Sequence, residues 1–197
     1  MPLPPVILAS ASPRRAQLLR SMNMAFEVIP SGAKEVHDPT QSAELVCQIN
    51  ATRKAESVAR EHENAIVIGA DTIVWRGEAH LGKPKTMLEA ERMLASLQGH
   101  THRVATAVCL VHRDRDMKVT FFEVTKVTFR RLNSEQIRRY LDTIDPLDKA
   151  GAYAIQENGD WIIQGIEGSY SNVMGLPVER LARAWPAFLS QTDHEEY

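Results

Sequence analysis

The sequence is short of the features that mark a special environment. It has two cysteines, Cys47 and Cys109, in 197 residues, with no Cys-x-x-Cys and no Cys/His ligand spacing. A disulfide framework is therefore not expected, and two small buried thiols fit a reducing cytosol. Ten glycines and ten prolines are scattered without period, which excludes collagen-like and disordered composition. Charge of one sign is missing too: 23 basic and 25 acidic side chains leave a formal −2, a poor balance for a nucleic-acid partner. The longest largely apolar run, Ala105 to Val111, falls well short of the roughly 20 residues that span a bilayer. Near the start, Ala9-Ser10-Ala11 imitates a signal-peptidase site, but only Val6 to Ala9 precede it as an apolar run, with no Lys or Arg before them. A cytoplasmic protein with no membrane partner is expected.

Several catalytic motifs are absent as well: no Gly-x-x-x-x-Gly-Lys-Ser/Thr loop, Gly-x-Gly-x-x-Gly, Gly-x-Ser-x-Gly or His-Glu-x-x-His occurs. Asn50-Ala51-Thr52 is a glycosylation triplet without meaning in a cytosolic helix. What is present is the pattern of an α/β domain, expected to be single over 1–197 with a polar tail from about 190. Val6 to Ala9 reads as a buried strand, followed by a helix that Ser12 caps and Pro13 opens. Phe26 to Ile29 reads as a brief strand. Helical spacing runs from Ser42 to about Glu63. Ala65 to Ala70 is nearly uniformly apolar, as a strand covered on both faces should be, and delivers Asp71-Thr72 at its end. Thr86 and Glu89 form a capping box. Val104 to His112 and Val119 to Phe129 read as long strands around a charged turn, and Ser134 as the cap of the next helix. Tyr153-Ala154-Ile155 and Trp161-Ile162-Ile163 read as strands, and the chain closes in a helix bearing Leu181, Trp185 and Leu189.

Four places concentrate unusual chemistry. Ser10 to Arg15 sets hydroxyls and two guanidiniums at a strand-to-helix junction, where free N–H groups already favour an anion; the planar guanidinium fork suits phosphate. Asp71 places a carboxylate where an apolar strand gives out, a costly position unless it is paired, metal-bound or functional. Leu81-Gly82-Lys83-Pro84 pins the backbone around an ammonium. Asp148 to Gln156 and Gly165 to Pro177 are crowded with small residues, either for backbone approach to a ligand or for tight strand packing. Cationic clamps around one carboxylate suit polyphosphate chemistry, where positioning and charge neutralisation carry the catalysis.

These residues resemble a known family. Leu-Ala-Ser-Ala-Ser-Pro-Arg-Arg (Leu8 to Arg15), Gly-Ala-Asp-Thr (Gly69 to Thr72), Leu-Gly-Lys-Pro (Leu81 to Pro84), Lys-Ala-Gly-Ala-Tyr-Ala-Ile-Gln (Lys149 to Gln156) and Gly-Ser-Tyr-Ser-Asn-Val-Met-Gly-Leu-Pro (Gly168 to Pro177), in this order, are similar to the Maf nucleoside triphosphate pyrophosphatases. The resemblance implies an ITPase-like α/β fold: an elongated, twisted mixed sheet flanked by helices, in two lobes around a deep central cleft. It implies a homodimer that hydrolyses a nucleoside triphosphate to monophosphate and pyrophosphate with a divalent cation, Mg or Mn. The Asp71-Thr72 pair, Gln156 and the Asn-Val-Met-Gly ending look like the branch that takes dTTP and UTP rather than 7-methyl-GTP. By the same resemblance Asp71 is the proton acceptor, and Arg14, Thr72 and Gln156 discriminate substrates. Ser10, Arg15, Lys54, Lys83 and Lys149 bind phosphate, and Glu35 joins Asp71 at the metal. The family often carries an Asp-Glu pair before this point; here Lys34 occupies its first place.

Two rival classes follow from the same residues. A non-catalytic nucleotide sensor acting on cell division would keep the pocket, but the carboxylate and its cations are all present. An RNA-binding module would need a basic, aromatic-interleaved surface that the chain lacks.

Overall fold

A computed structural model describes residues 3–192. The chain forms β1 (Val6–Leu8), α1 (Pro13–Ser21), β2 (Glu27–Val28), α2 (Ala43–Ala59), β3 (Ile66–Arg76), β4 (Ala79–Leu81), α3 (Met87–Leu97), β5 (Thr101–His112), β6 (Met117–Phe129), α4 (Ser134–Leu141), two 3₁₀ turns, α5 (Gly159–Ile162), β7 (Ile163–Glu167), α6 (Tyr170–Met174) and α7 (Val178–Thr192). Seven strands make one mixed sheet in the order β2-β1-β3-β5-β6-β7, with β4 added to the far end of β3. Only β1 is parallel to its neighbours β2 and β3.

Alternation along β3 and β5 assigns each face its cover. Ile7, Val67, Trp75, Ala105, Ala107 and Cys109 bury against α2. The opposite face carries two separate cores. One joins Ile68, Ala70, Val108 and Leu110 to Leu19 of α1 and Leu181 and Phe188 of α7. The other joins Val74, Val104 and Val127 to α3, α4 and the 3₁₀ region. Two lobes therefore sit on one face of a continuous sheet, and the seam between them falls at Thr72 and its register partner Thr106.

α2 approaches β3 closely because position 69 has no side chain. A Cβ there would collide with the Ala51 carbonyl oxygen and lie 2.6 Å from the Ala55 nitrogen. Both cysteines are buried and free.

The structure corrects several local expectations. β3 does not stop at Ala70: its ladder with β5 continues to Trp75 opposite Arg103, so Asp71 and Thr72 lie within the strand. Asn133, not Ser134, caps α4, because its partner three helical positions on is Gln136 and both reciprocal bonds form. Ser12 precedes α1 without a capping bond. Thr86 caps α3, while Glu89 reaches Lys85 N rather than the cap residue. Tyr153-Ala154-Ile155 is not a strand. The chain turns through left-handed φ at Gly151 and Ala152, and the Tyr140 hydroxyl takes both the N–H and the carbonyl of Ala154 at 3.0 Å, replacing a strand partner. Trp161-Ile162 belongs to a single helical turn after left-handed Asn158, and the strand begins at Ile163. The expected tail is helical as far as Thr192; positions 193–197 lie outside the described residues.

Candidate active site

The site lies on one edge of β3. β1 pairs with β3 only through Ile68, and β4 joins it only from Val74. Between them the edge at 69–73 has no strand beside it. This is the carboxyl end of parallel β1, where open α/β sheets take their ligands. Asp71 and Thr72, being consecutive, present their side chains to opposite faces there.

On the α2 face, Asn50 and Lys54 stand four residues apart and project together. Lys54 Nζ is 2.6 Å from Asp71 Oδ1 and 2.6 Å from Glu35 Oε1. Asn50 Nδ2 donates to Asp71 Oδ2 at 3.1 Å, so both carboxylate oxygens are held. The same Asn50 side chain accepts from Val36 N at 2.7 Å and donates to Val36 O, tying the coil that carries Glu35 to α2. Burial works to raise the Glu35 carboxyl, but the Lys54 hydrogen bond and charge, with Lys83 and His37, hold it below its ordinary value. Lys83 itself is exposed in the loop after β4.

On the other face, Arg15 spends three of its five N–H groups on the protein: Gly175 O at 2.8 Å, Ser10 Oγ at 3.2 Å and Thr72 Oγ1 at 3.1 Å. Two are left for a ligand. Burial lowers the Arg15 pKa, with Arg14 adding to the effect and Asp71 and Glu35 opposing it. An anion would relieve that load. Ser10 Oγ accepts from both Arg15 and Ser12 N, which leaves its own proton to give.

Arg14 bridges the lobes through Asp148 at 3.2 Å. Burial works against the Asp148 charge, yet Lys149 and Arg14 hold its carboxyl below the ordinary value. Lys149 is only 5% exposed and donates to Asp145 O at 2.6 Å and Asp148 Oδ1 at 2.8 Å. These two acceptors hold its ammonium beside the carboxylate that pairs with Arg14. Gln156 donates to Glu157 at 3.0 Å and keeps a buried Oε1 without a hydrogen-bond partner among the described residues. It lines a cavity of about 450 Å³ between Ile155, Ile163, Ile166 and Tyr170.

The structure thus brings Ser10, Arg15 and Thr72 into one cluster and Glu35, Lys54 and Asp71 into another across the strand. Arg14, Lys149 and Gln156 are reached through Asp148 and Glu157. The sequence reading missed Asn50 and Asp148. Asn50 could have been found, since a buried Asn four residues before a functional Lys shares its helix face.

A family model described as Maf-like protein matches residues 5–188. The chain belongs to the Maf-like family. Within it, a protein of Bacillus cytotoxicus named dTTP/UTP pyrophosphatase is 46% identical over 188 residues, covering 95% of this chain and 97% of the relative. An Akkermansia muciniphila protein of the same name is 45% identical, covering 89% and 92%. Among solved structures, the Staphylococcus aureus Ham1 protein aligns with a TM-score of 0.50 at 16% identity over 94% of this Maf-like chain and 97% of Ham1, a likeness of fold.

Proposed function

We propose that this Maf-like chain hydrolyses dTTP and UTP to the monophosphate and pyrophosphate. The observation that carries the reading is the sorting of hydrogen-bond character between the β3 edge and the loop that follows the 3₁₀ turns. Unspent donors on Ser10 and Arg15 suit phosphate, while Gln156 keeps an unmet acceptor that suits a base N–H. The names of the relatives at 45–46% identity agree with it.

Asp71 orients or deprotonates the water that attacks the α-phosphorus. The bond to the bridging oxygen breaks, and pyrophosphate leaves against Arg15, Lys54 and Lys83. Lys149 steadies Asp148, which holds Arg14 at the rim of the cleft. Thr72 and Gln156 read the pyrimidine. Glu35 and Asp71 supply carboxylate oxygens on either side of Lys54, a donor set that would hold Mg²⁺ or Mn²⁺. Among the described residues no cluster of three or more His, Cys, Asp or Glu could hold the ion, so substrate oxygens would complete its shell. The chemistry it would supply when bound is neutralisation of triphosphate charge and polarisation of the phosphorus under attack. The homodimer and the cytoplasmic location belong to this proposal too; among the described residues no helix is long and apolar enough to cross a membrane.

The test is product analysis with purified protein, Mg²⁺ or Mn²⁺, and dTTP, UTP, CTP and GTP. Monophosphate and pyrophosphate from dTTP and UTP, abolished by chelator, are expected. Diphosphate and orthophosphate would place the attack at the terminal phosphorus and overturn the reading.

A further inference from the structure

We infer that Thr106 is a positioning residue that fixes the Thr72 hydroxyl as a hydrogen-bond acceptor and so selects a pyrimidine carrying N3–H over one that does not. The inference deepens the proposed reading and rests on it.

Thr106 is fully buried beside Thr72 in the register of β5 with β3. Its Oγ1 lies 2.9 Å from the main-chain carbonyl of Asn172 and 2.9 Å from Thr72 Oγ1. A carbonyl only accepts, so the single Thr106 proton serves Asn172 when it points there. Thr72 then donates to Thr106. This arrangement spends both hydroxyl protons. The reverse leaves the Thr72 proton unused in a half-buried seam, a cost proteins avoid. Asn172 is held in turn: Oδ1 accepts from Thr106 N, and Nδ2 donates to Val104 O and Thr125 Oγ1. Thr106 therefore has no freedom to turn.

Arg15 can only donate, so the Thr72 oxygen gives one lone pair to Nη2. One lone pair is left and no proton. Toward a ligand, Thr72 is an acceptor alone. An acceptor repels phosphate oxygens and welcomes N–H. The N3 of uracil or thymine carries a proton; the N3 of cytosine offers a lone pair, which Thr72 opposes.

The experiment compares kcat/KM for UTP and CTP in the unaltered protein and in Thr106→Val, Thr106→Ala and Thr106→Ser. Without an acceptor at 106, the Thr72 proton is free to meet cytosine N3. The UTP/CTP ratio should fall about tenfold in the Val and Ala variants, the worth of one hydrogen bond, and return in the Ser variant. A purely structural role would lower both substrates together and leave the ratio alone. A UTP preference that survives Val and Ala overturns the inference and leaves the base reading standing. Equal falls for UTP and CTP point to a donor they share, such as a ribose hydroxyl, and also overturn it. Equal use of UTP and CTP by the unaltered protein overturns the base reading itself and the inference with it.

Discussion

The two faces of β3 at Asp71 and Thr72 are built on different principles. Toward α2, the groups are charged and mutually compensated: one ammonium stands between two carboxylates, each 2.6 Å away. Toward α1 and α6, the groups are neutral hydroxyls and amides around one guanidinium, and what is controlled is which atom holds a proton. Charge pairing can yield to a metal ion and a polyphosphate, since each charge can exchange partners. Fixed hydroxyl directions cannot exchange, and that stiffness suits discrimination. On the proposed reading, consecutive residues of one strand would divide reaction from recognition.

Breaking the charged face should have the largest effect. Asp71→Asn keeps shape and the Asn50 contact region but removes the base, and turnover of dTTP should fall about 10²–10⁴-fold with the fold intact. Near-normal turnover would remove Asp71 from the mechanism. Gly69→Val tests the packing that brings α2 to that face. The new side chain meets the backbone of Ala51 and Ala55, so thermal or denaturant unfolding should show a loss of about 3 kcal/mol or more. An unchanged midpoint would mean that α2 does not depend on close approach.

On the neutral face, Gln156→Ala should cost about 1–3 kcal/mol of discrimination, roughly 5- to 150-fold, for dTTP and UTP against a bare triphosphate. One common factor across dTTP, UTP, CTP and GTP would show that Gln156 does not read the base. Arg14→Ala should instead weaken every nucleotide alike. The smallest effect concerns acid. Glu35 is held below its ordinary value, so its contribution to stability is present above pH 4.5 and lost as pH falls through the lower folded pKa. The side chain is 38% exposed, so screening keeps this below about 1 kcal/mol. Glu35→Gln should flatten the fall of the melting temperature as pH drops below 4.5; an unchanged slope would detach Lys54 from Glu35 in solution.

The strands with clear patterns were legible because burial on both faces leaves a near-continuous apolar run, as at Ile66 to Ala70. Asp71 and Thr72 looked like a strand end because polar residues usually mark one. Here the ladder to β5 overrides that signal, and the polarity reflects the open edge at 69–73. The turns at Gly151 and Ala152 were illegible for another reason. Gly151 N–H is taken by the Gly82 carbonyl and the Ala154 backbone by the Tyr140 hydroxyl, distant partners that no local pattern announces. The site was legible as a set of residue types, through Ser10, Arg15, Lys54 and Asp71. Its partition was not, since pairing register sets Thr72 against Thr106 while the packing of α2 sets Lys54 against Asp71.

The division of labour is tested most directly by the UTP/CTP ratio of kcat/KM in the residual activity of Asp71→Asn. If the charged face performs the reaction and the neutral face reads the base, the ratio should equal that of the unaltered protein while both rates fall together. A ratio that collapses with the rate would show that Asp71 takes part in recognition, and the two faces would not be separate devices.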